Sequence, residues 1–149
     1  MNEKGFVDSL IKTITTRYPD ADYTRASDNY NLGLPDLVFT IPSDIHGRPF
    51  SMAIEAKQIK PLMDDPYHRG RRTGMMLKHT FTGPQISNLR KKKTSGVQAF
   101  GLIRVSIDMA FRVEPEDISA KTGNFTHEEL VKFGKPIHRT RGSGWDLWS

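Results

Sequence analysis

Residues 33–57 constrain the fold of this chain more than any other stretch. Gly33-Leu34-Pro35-Asp36-Leu37-Val38-Phe39-Thr40-Ile41 and Phe50-Ser51-Met52-Ala53-Ile54-Glu55-Ala56-Lys57 are apolar runs of strand length. Between them Pro42-Ser43-Asp44-Ile45-His46-Gly47-Arg48-Pro49 is rich in turn formers, which predicts an antiparallel hairpin. Side chains on a strand alternate between faces, so Glu55 and Lys57 share one face while Ile54 and Ala56 point into packing on the other. The start of the first strand lies beside the end of the second in a hairpin, which brings Asp36 within reach of Glu55 and Lys57.

Two carboxylates held together in partly buried surroundings repel, and one stays protonated unless a cation lies between them. A hard divalent ion such as Mg²⁺ or Mn²⁺ removes that conflict, because it is held by a few carboxylate oxygens together with water and substrate phosphate. Lys57 beside such an ion can orient or deprotonate a water, or stabilise charge on a phosphate. The set therefore suits metal-assisted phosphodiester hydrolysis. The plainer account makes Asp36 a turn cap after Pro35 and Glu55 and Lys57 an edge-strand charge pair. The conjunction of all three at matching hairpin ends favours the site.

The flanking chain supplies an α/β pattern. Phe6, Val7, Leu10, Ile11, Ile14 and Tyr18 recur at helical spacing over residues 2–18, and Pro19 ends the run. Extended backwards, this stripe passes through Glu3, while Asp8 falls off it towards solvent. An acid at Glu3 also suits the positive end of a helix. Ala21 to Arg25 reads as a short edge strand, with Arg25 more often simply solvated at such a position than a phosphate contact. Thr82 and Gln85 form a capping box that opens a helix with Ile86 and Leu89 on its inner face, closed by Arg90, Lys91, Lys92 and Lys93. Those four cations suit the negative helix end and can also grip DNA. Val97 to Val105 and Ala110 to Val113 read as further strands. Thr126 and Glu129 form a second capping box, and Gly134 closes its helix. Trp145 and Trp148 in the tail 135–149 predict docking, onto the domain itself or a second subunit.

The stretch 58–82 is irregular and carries Arg69, Arg71, Arg72 and Lys78 with interspersed glycines, a composition suited to backbone phosphates. His68 and His79 lie there too, without metal-ligand spacing. The chain has 149 residues, no cysteine and a formal net charge of +5. That excludes disulfides and thiolate metal sites and favours a polyanionic partner. No apolar run approaches a membrane span and no signal-peptide pattern opens the chain, so a cytoplasmic protein with no membrane partner is expected, in a bacterial or phage-infected cell.

Pro35-Asp36 followed after a hairpin-length gap by Glu55-Ala56-Lys57 resembles the PD-(D/E)xK nuclease superfamily. The preceding helix, Gly33, the Gln85 helix and the strand Ala99-Phe100-Gly101-Leu102-Ile103 add an order similar to RecU-type Holliday-junction resolvases and VRR-NUC nucleases. The resemblance covers roughly residues 2–107 and departs in the long segment 58–82. It implies one α/β domain over residues 1–149, with a restriction-endonuclease-like core at about 2–113 and a C-terminal extension at 114–149. In that core a mixed sheet carries a catalytic hairpin flanked by helices. The implied activity is a Mg²⁺- or Mn²⁺-dependent, structure-specific DNA endonuclease without a nucleotide cofactor. Asp36, Glu55 and the Ala56 carbonyl would ligate the metal, Lys57 would position water and Gln85 would support the site. Glu3, with Asp8 in reserve, would be the first-helix acid. Residues 69–78 and 90–93 would hold phosphates. Symmetric cutting of two strands implies a homodimer. A nicking, repair or restriction-like nuclease is the alternative, and a non-catalytic DNA-binding module is the rival from another class.

Overall fold

In the computed structural model, residues 3–26, 33–43, 47–59 and 80–148 are described. The first helix, α1, covers Glu3–Arg17 and buries Phe6, Val7, Leu10 and Ile14 along one stripe. It stops two residues before Pro19, whose ring cannot continue a helix. Then follow β1 (Asp22–Arg25), β2 (Leu37–Ile41), β3 (Phe50–Gln58), α2 (Gly83–Thr94), β4 (Gln98–Ser106) and β5 (Met109–Val113). The chain continues with α3 (His127–Phe133), β6 (Lys135–Thr140) and β7 (Gly144–Trp145).

The strands form one seven-stranded sheet in chain order. Neighbours are antiparallel except β3 and β4, which run parallel. A parallel pair needs a crossover, and α2 is the helix in it. This confirms the mixed α/β fold with a β2–β3 hairpin and flanking helices.

The sheet has two packed faces. On one, the α1 stripe meets Leu37, Phe39, Ile54, Ala56, Phe100 and Leu102. On the other, Phe81, Ile86 and Leu130 pack with Ile103, Val105, Phe111 and Val113. There too Leu89 of α2 sits over Ala53 and Ala99, whose small side chains allow close approach.

The C-terminal tail departs from a simple docking peptide, because β6 pairs with β5 and extends the sheet. Only Ile137 in β6 is buried, and Pro136 removes one ladder donor, so nothing in its composition announces a strand. Trp145 is 1% exposed and packs edge-on against Phe6 at 5.3 Å. Its backbone N donates to Thr13 Oγ1 at 3.0 Å and its Nε1 to Ser9 Oγ at 2.9 Å. Gly144 adopts φ +75°, and a Cβ there would collide with the Thr13 side chain. The tail therefore docks on its own sheet and on α1.

Candidate active site

The β2–β3 hairpin sets the site. Leu37 lies opposite Ile54, so Asp36, one residue earlier, comes level with Glu55. The two acids are cross-tied through backbone: Asp36 N donates to Glu55 Oε2 at 3.2 Å, and Ala56 N donates to Asp36 Oδ2 at 2.8 Å. Alternation on β3 sends Ile54 and Ala56 into the α1-side core. It sends Glu55 and Lys57 to the α2 side, where Lys57 Nζ stands 3.4 Å from Glu55 Oε1.

Gln85 joins the cluster and also caps α2. Its Nε2 donates to Glu55 Oε1 at 2.7 Å. Its Oε1 accepts from Thr82 N at 2.9 Å, and Thr82 Oγ1 accepts from Gln85 N at 3.3 Å, closing the capping box. A backbone N–H can only donate, so the amide oxygen must face Thr82 and the amide nitrogen is left for the carboxylate. One side chain thus caps α2 and steadies Glu55.

Glu55 is 2% exposed. Burial, and then the charge of Asp36, push its carboxyl up from 4.5 to about 8, against the opposing pull of Lys57. Phe81 supplies part of the apolar wall, its ring centroid 5.7 Å from Lys57 Nζ. The wall exists because of two glycines. Gly101 of β4 stands beside Glu55 in register, and a Cβ there would meet the Phe81 ring at 2.6 Å. Gly123, at φ +66°, accepts from Phe81 N at 2.8 Å through its carbonyl and leaves no room for a side chain against the Phe81 backbone. Sequence reasoning missed Phe81. The available signal was Gly101 inside an otherwise bulky strand, which marks close approach of another group.

Other expected residues fare differently. Glu3 opens α1, and its side chain lies outside the described residues. The first turn of α1 is nevertheless anchored near the site, because Arg25 Nη2 donates to the Lys4 carbonyl at 3.1 Å and Ala26 N to the Asp36 carbonyl at 3.0 Å. Asp8, the reserve acid, pairs with Arg25 and Lys4 at the surface. The Arg25 hydrogen bond holds its carboxyl below the usual range. Arg25, a surface cation that could also have met a phosphate, thus ties β1 to α1. Arg69, Arg71, Arg72, Lys78, His68 and His79 all lie outside the described residues.

The basic end of α2 is divided. Lys93 is clasped by Glu114 at 3.2 Å and Glu116 at 2.9 Å, and the Glu116 hydrogen bond raises its pKa. Arg90 and Lys91 are exposed beside a groove shared with Ser87 and Thr94, and Lys92 is partly buried.

Among the described residues, no group of three or more His, Cys, Asp or Glu side chains gathers. The donors at the hairpin are oxygens alone: the Asp36 and Glu55 carboxylates and the nearby Ala56 carbonyl. Such a set fits a magnesium-like ion that keeps several waters, and lacks the nitrogen and sulfur of a structural zinc site.

No family model and no curated protein matches the chain. Among solved structures, it is similar to Hjc, a Holliday junction resolvase from the archaeal hyperthermophile Archaeoglobus fulgidus. The TM-score is 0.56 at 12% sequence identity, over 88% of this chain and 93% of that one. The likeness establishes the architecture: the chain has the restriction-endonuclease-like fold of that structure, a mixed sheet flanked by helices.

Proposed function

We propose that this chain is a divalent-metal-dependent DNA endonuclease that hydrolyses phosphodiester bonds in branched DNA, in the manner of a junction resolvase. The observation that carries this is the convergence of Asp36, Lys57 and Gln85 on the buried Glu55 carboxylate. An acid raised to about 8 by burial and a neighbouring acid is an electrostatic conflict that a cation relieves. A surface that only bound phosphate would gain nothing from two acids facing it.

Asp36, Glu55 and the Ala56 carbonyl would hold a Mg²⁺ or Mn²⁺ ion, whose chemistry when bound is to polarise a phosphoryl oxygen and acidify water. Gln85 keeps Glu55 from swinging away, and Phe81 keeps bulk water off its inner side. Lys57 offers an ammonium that can orient a water or meet charge on the phosphate. Glu3 is the candidate for a further acid. Arg90, Lys91 and Lys92, with the loop cations Arg69, Arg71, Arg72 and Lys78, would hold backbone phosphates. Cutting two strands symmetrically would call for a homodimer. No helix of the described residues is long and apolar enough to cross a membrane, and action on DNA suits a cytoplasmic protein.

One observation favours a second reading, a non-catalytic DNA-binding module. Both carboxylates already accept from backbone N–H groups, as purely structural acids would. One assay separates the two. Purified protein with Mg²⁺ or Mn²⁺ is incubated with four-way junction, flap, duplex and single-stranded DNA. Cleavage by the parent that is lost in Asp36→Asn and Glu55→Gln, with DNA binding kept, supports the nuclease. Binding without cleavage under either metal supports the module.

A further inference from the structure

A second feature lies on the opposite face of the sheet. Between α1 and the β6–β7 turn is a cleft of about 370 Å³, where Lys12, Arg139 and Arg141 converge with the hydroxyl residues Thr16, Thr140 and Ser143. No carboxylate lines it. Among the described residues, none of the three cations has an ion-pair partner.

The cleft is built by the fold. Arg139 N donates to the Asp108 carbonyl at 2.8 Å, and its guanidinium lies 5.9 Å from the Trp145 ring centroid. The turn that carries Arg141 closes with Ser143 N donating to the Thr140 carbonyl at 3.2 Å, and Gly142 takes φ +89°. Trp145, tied to Ser9 and Thr13, fixes this turn against α1. Arg104, fully buried, packs on the Phe6 and Trp145 rings at 5.6 and 5.3 Å and donates to the carbonyl of Ile107, which lines the cleft, while Asp108 offsets part of its charge.

Its place in the sheet says what it can reach. β3 and β4 run parallel, and β5 and β6 alternate from there. The β4–β5 turn, the last residues of β6 and the Lys57 end of β3 therefore share one end of the sheet. From β3 to β6 is three strand spacings, about 14 Å at ~4.8 Å each. A nucleic-acid strand passing round this end of the sheet, at ~3.4 Å per nucleotide, covers the in-plane part of that path in about four nucleotides.

We infer that this cleft is a subsite for a phosphodiester backbone, gripping DNA through Lys12, Arg139 and Arg141 away from the carboxylate cluster. The inference rests on the DNA-binding part of the proposed function. The test uses the full chain without divalent ions, so that nothing is cut, and fluorescence anisotropy of labelled duplex and four-way junction across a salt series. The variant is Lys12→Glu with Arg141→Glu, both at exposed positions. Circular dichroism and thermal melting establish that it folds. Affinity is expected to fall about tenfold or more, and the slope of log K against log salt to flatten by about two. Unchanged affinity and slope in the folded variant overturn the inference and leave the nuclease reading standing. A parent chain that binds no DNA at any salt overturns both. Inorganic phosphate titrated onto both proteins by calorimetry is the second arm. Phosphate binding lost in the variant while DNA affinity stays the same overturns the strand assignment in favour of a small-anion site.

Discussion

Gln85 Nε2 lies 2.7 Å from Glu55 Oε1, across 30 residues of chain, while the other end of the same amide caps α2 at Thr82. Helix start and carboxylate are thereby one unit, and the two parts can be separated by substitution. Gln85→Glu keeps an acceptor for Thr82 N and replaces the donor facing Glu55 with a like charge. Gln85→Ala removes both. Gln85→Ala is expected to lose about 1–3 kcal/mol of stability by urea unfolding, for an abandoned buried acceptor and a lost cap. Gln85→Glu should retain the cap yet lose Mg²⁺-dependent cleavage at least as completely as Gln85→Ala. Full cleavage by Gln85→Glu would show that the Glu55 contact is unimportant.

Glu55 predicts the direction of pH dependence in metal-free protein. Its folded-state value of about 8 lies above the ordinary glutamate value of 4.5 taken for the unfolded chain, so between these the folded protein holds a proton that the unfolded one has released. Stability attached to this proton is complete below about 4.5 and declines as pH rises towards 8, by a few kcal/mol in order of magnitude. Urea unfolding in chelator from pH 5 to 9 should show the decline, and Glu55→Gln should remove most of it. A flat profile in the parent would mean that Glu55 ionises normally.

An ion at Asp36 and Glu55 must displace that proton. Mg²⁺ or Mn²⁺ should therefore raise the melting temperature more at pH 8.5 than at pH 6, and Asp36→Asn should abolish the rise at both. Scanning calorimetry with and without chelator measures it. An equal rise in Asp36→Asn would place the ion elsewhere.

Gly101 predicts the worth of the Phe81 wall. A Cβ at this position would sit 2.6 Å from the Phe81 ring, which must move. Gly101→Ala is expected to cost about 1–3 kcal/mol through overpacking. The displaced ring should admit water to Glu55 and bring its pKa down, weakening the pH dependence described above. Phe81→Ala should lower the pKa likewise without the overpacking. If both variants keep the parent's pH profile, desolvation at Glu55 comes from elsewhere.

The sequence by itself determined the parts whose causes are local. The α1 stripe, the strand runs and both capping boxes, Thr82 with Gln85 and Thr126 with Glu129, follow from periods and spacings within a few residues. The meeting of Asp36 with Glu55 and Lys57 also belongs here, because a hairpin joins adjacent segments and period-two alternation chooses the face. Tertiary structure alone decided the rest. Gln85 reaches Glu55 only because the β3–α2–β4 crossover sets the start of α2 over that face. Phe81 fills a space that Gly101 and Gly123 leave from other elements. Asp8 draws Arg25 to α1, and β6 becomes a strand because β5 offers it an unpaired edge, despite Pro136 and an exposed composition. In each case the partner is remote in the chain, and its energetic reward appears only once the loop between has closed, which no local pattern records.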